Sequence, residues 1–171
     1  CLGYNHPKIL ELKQNDSIRV RGRILPISHV SNLFIIPGQI EYADLLAKHF
    51  PIDDAQFFFC NSGAEANEAA IKAASKNPNK GSKIACMKGS FHGRYGVSNA
   101  VTAQKPYNSR RDNKNKWKTN YRKVIELERN NMKDIGKITP DVFAVIYEPI
   151  QAEFGIYEMN PNFMKALRKK C

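Results

Sequence analysis

The chain has 171 residues and a mass of 19.4 kDa, enough for a domain with a real core. Its 42% apolar and 25% charged residues exclude a disordered polypeptide. The longest uninterrupted apolar run, residues 142–147, is far short of the roughly 20 residues a membrane-spanning helix requires. In chain order, residues 7–14 predict a short helix and residues 18–27 an irregular or extended linker. From Gln39, the spacing of Ile40, Leu45, Leu46 and Phe50 predicts a helix stopped by Pro51. Three consecutive aromatics in residues 56–60 predict a buried strand. Residues 64–76 predict a strong helix, with six alanines, glutamates early and lysines late, as the helix dipole favours. Further strands are expected at 83–87, 122–127 and 142–148, and helices at 97–103, 131–138 and from Pro161. This alternation gives an α/β fold with a mostly parallel sheet and flanking helices.

The net charge is +11, and residues 105–137 alone contribute +7 from eleven basic and four acidic side chains. Such a stretch is either a solvated face or an attractor of acidic partners. It contains one tryptophan and two tyrosines before the strand, with no alternating aromatic platform, so a nucleic-acid partner is not expected. The cysteines, Cys1, Cys60, Cys86 and Cys171, form no CxxC pair, so neither a metal site nor a disulfide framework is expected. A reducing, cytoplasmic setting follows as the expectation. No apolar stretch with a cleavage pattern lies near the start, so no signal peptide is expected. The chain opens on Cys1 without methionine and closes within a helical pattern, so both ends are expected to be interior points of a longer polypeptide.

Three polar clusters follow three of the expected strands. Ser62, Gly63 and Ala64 open a helix directly after residues 56–60. That arrangement supplies the unpaired N–H groups, hydroxyl and side-chain-free approach of a phosphate cradle, although many helices start this way with nothing bound. Phe91, His92, Gly93 and Arg94 follow the second strand; Phe91 either stacks on a planar ring or caps the core. Glu148, Gln151 and Glu153 follow the last strand. Ligands of open α/β sheets bind beyond the carboxyl ends of strands, where these clusters can converge.

The run Asn61-Ser62-Gly63-Ala64-Glu65-Ala66-Asn67-Glu68-Ala69-Ala70-Ile71-Lys72 resembles the phosphate-binding segment of class III pyridoxal-phosphate-dependent aminotransferases, closest to the acetylornithine branch. Gly3-Tyr4-Asn5-His6-Pro7, His29-Val30-Ser31-Asn32-Leu33-Phe34, Gly89-Ser90-Phe91-His92-Gly93-Arg94 and Glu148-Pro149-Ile150-Gln151 are similar to further motifs of that family, in the same order. The resemblance runs almost the length of the chain and implies an N-terminal piece of about two fifths of a full member.

The implied fold is a partial fold-type-I large domain. Residues 1–38 would form an N-terminal segment and active-site approach, and residues 39–171 the incomplete N-terminal half of the cofactor-binding domain. The implied cofactor is pyridoxal 5'-phosphate, with Ser62, Gly63 and Ala64 at its phosphate, Phe91 against its ring, and Glu148 and Gln151 in its surroundings. Arg94 would meet a substrate carboxylate, Asn32 would border the entrance, and Glu153 would pair with a substrate-binding arginine or swing away. His92 is expected to be structural rather than a base.

The implied reaction transfers an amino group between N-acetylornithine, or a related ω-amino donor, and 2-oxoglutarate, a step of arginine biosynthesis, in a cytoplasmic homodimer. No catalytic residue is assigned to this chain. The Schiff-base lysine and the aspartate partner of the pyridine nitrogen are absent, and neither Lys72 nor Lys88 occupies the catalytic position. The chain alone is expected to be inactive; the alternative is a noncatalytic, truncated phosphate-binding or interaction domain. Two departures from the family pattern stand out: the basic stretch at 109–120, and Gln151-Ala152-Glu153-Phe154-Gly155, where Phe154 replaces a glycine. The family's sheet order, 3-2-4-5-6-7-1, implies that the strands at 122–127, 83–87 and 142–148 pair here in that sequence. The segment at 56–60 would be left without its neighbour.

Overall fold

The computed structural model describes residues 6–15, 17–20, 23–26, 31, 33, 35–77, 81–104 and 123–171, and divides the chain into two compact units, Cys1–Phe57 and Phe58–Cys171. Asn32 and the basic stretch at 109–120 lie outside the described residues.

In the first unit, helix α1 (Pro7–Asn15) precedes strands β1 (Ser17–Val20) and β2 (Arg23–Pro26). These strands pair antiparallel from Ser17↔Pro26 to Val20↔Arg23. This hairpin corrects the linker expected at 18–27: four-residue strands carrying arginines, the second ending on proline, show too little alternation to be read as strands. Helix α2 (Pro37–His49) begins with proline in its first turn, where the missing N–H costs nothing. None of its residues is buried, and Ile40, Tyr42 and Leu45 are exposed.

The second unit is a three-layer α/β structure. Helix α3 (Gly63–Ala74) leads to strand β3 (Lys83–Met87), helix α4 (Gly96–Val101), strand β4 (Val124–Leu127), a 3-10 turn (Met132–Lys137) and strand β5 (Val142–Ile146). Strands β6 (Ile150–Gln151) and β7 (Tyr157–Glu158) form a minimal antiparallel hairpin, and helix α5 (Pro161–Lys170) follows.

The main sheet is parallel in the order β4-β3-β5, the expected arrangement of the strands at 122–127, 83–87 and 142–148. β3 is central, and its side chains divide between two cores. Ala85 and Met87 pack with Leu127, Met159, Phe163 and Leu167 on the α5 face. Ile84 and Cys86 pack with Ile71 and Val101 on the α3 and α4 face. Residues with apolar side chains on both faces are what a strand covered by helices on both sides requires.

Residues 56–60 do not form the buried strand their aromatics predict, and are left unpaired as the family's sheet order implies. They belong to none of the sheets, and Phe58 is 72% exposed. Aromatic content favours a strand only when a partner edge is at hand, and no described segment pairs with this one. Among the described residues no helix is long and apolar enough to cross a membrane, and no cluster of His, Cys, Asp and Glu could hold a metal ion.

Candidate active site

Ser62 is the N-cap of α3, and its hydroxyl oxygen accepts the Glu65 N–H at 3.2 Å. The Glu65 carboxylate reaches back to accept the Asn61 N–H at 2.6 Å. This reciprocal arrangement is close to a capping box and satisfies the third N–H of the helix. It leaves the N–H groups of Gly63 and Ala64 without a hydrogen-bond partner among the described residues, at the positive end of the helix dipole. A Cβ at Gly63 would meet nothing within 4 Å, so the space before these donors is open. Open space, two aimed N–H groups and a helix N-terminus fit a phosphate group. Ser62 keeps its own O–H proton to donate.

The loop from Phe91 to Arg94 faces the same space. Its backbone is tied down at every residue. The Phe91 N–H donates to Glu148 Oε2 at 2.8 Å, and the His92 N–H to Thr102 Oγ1 at 3.0 Å. The His92 carbonyl accepts from Asn67 Nδ2 at 2.8 Å, the Gly93 carbonyl from the Thr102 hydroxyl at 2.8 Å, and the Arg94 carbonyl from Asn99 Nδ2 at 2.9 Å. Gly93, at φ +137°, lets the loop touch α3: a Cβ there would stand 2.8 Å from the Ala64 Cβ. The Arg94 guanidinium lies over the Phe91 ring at 5.8 Å.

The result is a cleft of about 400 Å³ lined by Gly63, Ala64, Asn67, Phe91, His92 and Arg94 together with Gly93 and Tyr95. A larger cavity of about 500 Å³ runs along β5 and the end of α5, but it contains none of the polar constellation.

Glu148 stands behind the cleft wall. Burial raises its carboxyl above the usual carboxylate range. The Phe91 N–H, the Ser90 hydroxyl and the Ala152 N–H pull in the other direction, and the nearby charge of Glu153 adds to the rise. Gln151 is fully buried: its amide nitrogen donates to the Lys88 carbonyl and Ser90 Oγ, both at 3.0 Å, and its oxygen accepts from Arg129 at 3.2 Å. It supports the exit from β3 and does not line the cleft. Glu153 is exposed on the turn between β6 and β7, its carbonyl accepting from Gln104 Nε2 at 2.9 Å. The structure thus gathers Gly63, Ala64, Phe91 and Arg94 around one space, ties Glu148 to it by one hydrogen bond, and sets Gln151 behind it.

Burial lowers the His92 imidazole to about 4, and its Nε2 has no hydrogen-bond partner among the described residues. A histidine neutral at neutral pH that titrates near 4 is a poor proton acceptor, in keeping with a structural role. Protonation favours the unfolded chain, whose histidine has the ordinary value of 6.5, so this contribution is complete above pH 6.5 and fades as pH falls toward 4. The full loss is about 3 kcal/mol. In the full-length protein, His92→Gln is expected to flatten the fall of the urea midpoint between pH 6.5 and 4. An unchanged slope would show that His92 is accessible to protons in the folded state.

The loop anchors Asn67, Asn99 and Thr102 were not identified from sequence, because their partners are fixed only by the tertiary fold. The one local signal is Asn67 on the first turns of α3, four residues after Gly63.

A family model, aminotransferase class-III, matches residues 1–171. The [LysW]-aminoadipate semialdehyde/glutamate semialdehyde transaminase of Sulfolobus acidocaldarius is 37% identical over 99% of this chain and 40% of its own length. An acetylornithine aminotransferase of Bacillus cereus is 33% identical over 99% of this chain and 40% of its own. The crystal structure of the ornithine aminotransferase of Toxoplasma gondii with partial pyridoxal-phosphate occupancy superimposes with a TM-score of 0.72 at 18% identity, covering 99% of this chain and 39% of that one; this likeness shows the fold. The chain belongs to the class-III aminotransferases, a pyridoxal-phosphate-dependent family. It spans about 40% of the length of the curated relatives it matches.

Proposed function

We propose that the whole protein of which this chain forms a part transfers an amino group from N-acetylornithine, or a related ω-amino donor, to 2-oxoglutarate. The observation that carries this reading is the single cleft shared by the unpartnered N–H groups of Gly63 and Ala64 and the tethered Phe91–Arg94 loop. Gly63 and Ala64 would bind the phosphate dianion of the cofactor, with the Ser62 hydroxyl as a further donor. Phe91 would form the wall against its ring, held at the right depth by Glu148. Pyridoxal phosphate, when bound, supplies the electron sink and the group carrier that transamination needs. Arg94 would orient a substrate carboxylate, Asn32 would border the entrance, and Glu153 would adjust the charge at the mouth. Gln151 would act through Ser90 and Lys88. His92 neither takes nor gives a proton in this scheme.

The domain division after Gly38, the cytoplasmic setting and a homodimeric assembly belong to the same reading. The unburied face of α2 supports the last, since Ile40, Tyr42 and Leu45 need cover from elsewhere in the assembly. Residues 1–171 alone would be inactive, because the proton-transferring lysine is expected in a later segment. The test is 2-oxoglutarate-dependent consumption of N-acetylornithine, ornithine and succinylornithine by the full-length holoenzyme. Turnover of at least one ω-amino donor is expected. Binding of the cofactor with no transfer from any of them would overturn the proposal.

A further inference from the structure

Glu68 is a half-buried carboxylate of α3 that does not line the cleft, and its partner lies on another helix. Its Oε1 accepts the Ser98 N–H at 2.6 Å. Ser98 holds the third position of α4, whose N-cap, Tyr95, makes no side-chain cap bond. A buried N–H at an uncapped helix start must find its acceptor elsewhere, and here α3 supplies it. The approach is close. A Cβ on Gly96 would stand 2.6 Å from Glu68 Oε1, so the carboxylate rests on bare backbone, and φ +55° at this position suits glycine as well. Ser98 in turn holds the loop. Its hydroxyl donates to the Tyr95 carbonyl at 2.7 Å, and a Cβ on Gly93 would lie 2.6 Å from its Oγ. Asn67, the residue before Glu68, grips the other end of the same loop through the His92 carbonyl at 2.8 Å. Two successive residues of α3 therefore hold both ends of the segment 92–98, with Arg94 and Tyr95 between the grips. The same helix opens on the N–H groups of Gly63 and Ala64.

We infer that Glu68 is a positioning residue that fixes the Arg94 end of the cleft loop to α3, so that one helix sets the separation between the phosphate donors and the arginine that receives a substrate carboxylate. The front of the loop does not depend on it, since Glu148 and Thr102 hold the N–H groups of Phe91 and His92. The back of the loop does. Without the carboxylate the buried Ser98 N–H has no acceptor, a cost relieved only if the first turn of α4 shifts toward water. Asn99, the next residue of α4, donates to the Arg94 carbonyl at 2.9 Å, so such a shift carries Arg94 with it. Glutamine at 68 keeps the length and an acceptor oxygen, although a neutral bond is only about half as strong as a charge-assisted one. Alanine removes both. The inference rests on the aminotransfer reading above for its substrate carboxylate, but not for the tether itself.

The test compares Glu68→Ala and Glu68→Gln with the wild type in the full-length protein. Three measurements serve: amide hydrogen exchange, titration of the apoprotein with pyridoxal phosphate, and holoenzyme kinetics with N-acetylornithine, ornithine and succinylornithine. Glu68→Ala should speed exchange at residues 96–99 by about tenfold, while residues 84–87 of β3 keep their wild-type rates. The dissociation constant for the cofactor should stay within about twofold, because the Gly63 and Ala64 donors are untouched. KM for the amino donor should rise about tenfold, the lower end of what one lost charge-assisted hydrogen bond is worth, with kcat within about twofold. Glu68→Gln should recover most of both effects. Glu68→Asp, whose carboxylate falls one methylene short, carries the same comparison if the alanine variant fails to fold. Unchanged exchange at 96–99, a cofactor dissociation constant that rises as far as KM, a fall in kcat at constant KM, or a glutamine variant no better than alanine would overturn the inference. If the holoenzyme transfers no amino group from any of the three donors, the functional reading and the substrate part fall together, and the exchange rates and the cofactor titration still decide the tether.

Discussion

Gly63→Val in the full-length protein is expected to raise the dissociation constant for pyridoxal phosphate by about 100-fold, the equivalent of two charge-assisted hydrogen bonds lost. The same change should leave the thermal midpoint of the apoprotein almost unaltered. The reasoning separates space from stability. Among the described residues nothing lies within 4 Å of a Cβ at Gly63, so valine meets no wall there when the site is empty. Its backbone sits at the first position of α3, outside the region reserved for glycine, where a β-branched residue costs only a few tenths of a kcal/mol. The methyl groups would instead fill the space in front of the Gly63 and Ala64 N–H groups. Titration of the apoprotein with the cofactor, followed by absorbance, measures the first effect, and a melting curve measures the second. An unchanged dissociation constant would mean that the phosphate is held elsewhere.

Gly81→Ala is expected to do the reverse: to damage the fold while touching no site residue. A Cβ at position 81 would lie 2.1 Å from both the Cα and the carbonyl oxygen of Asp141. Those are backbone atoms that cannot rotate away. Asp141 is also the residue whose carbonyl accepts the Lys83 N–H at 2.9 Å, at the start of the β3–β5 pairing. Relief of the clash must therefore separate the central strand from its neighbour, just where the register already shifts between Lys83 and Ile84. Overpacking of this kind costs about 3 kcal/mol or more. Gly136→Ala is the control, since a Cβ there meets nothing within 4 Å. Urea midpoints of the two variants in the full-length protein should differ clearly, with Gly136→Ala close to wild type. Equal midpoints would show that the strands separate at that end without cost.

What could be read in the sequence was what local chemistry dictates. β3 was legible because five apolar or amphipathic residues between turn signals have one use in an α/β fold, burial on both faces. α3 was legible through Ser62, the early glutamates and a run of alanines, and α5 through Pro161. The segment at 56–60 reads as a buried strand from its aromatics alone; its unpaired state was legible only through the family's sheet order, because a strand is made by a partner. The β6–β7 hairpin, two residues on each side, carries too little pattern to detect.

The site divides in the same way. Ser62, Gly63, Phe91 and Arg94 stand in motifs of contiguous residues. The hydrogen bonds that give those motifs their shape join residues 25 and 57 positions apart, as in Asn67 with His92 and Phe91 with Glu148, and no local pattern encodes such a pairing. Phe154 shows the limit most clearly. Its identity is plain in the sequence, but Gly89, whose bare backbone its ring covers, is 65 residues earlier by position number (154 less 89) and is brought there only by the fold.

A structure of the full-length protein with pyridoxal phosphate bound would test the central claim most directly. The cofactor phosphate should accept hydrogen bonds from the Gly63 and Ala64 N–H groups, with the Phe91 ring along one face of the pyridine. A phosphate bound away from the start of α3, or a cofactor ring that leaves the Phe91–Arg94 loop untouched, would contradict it.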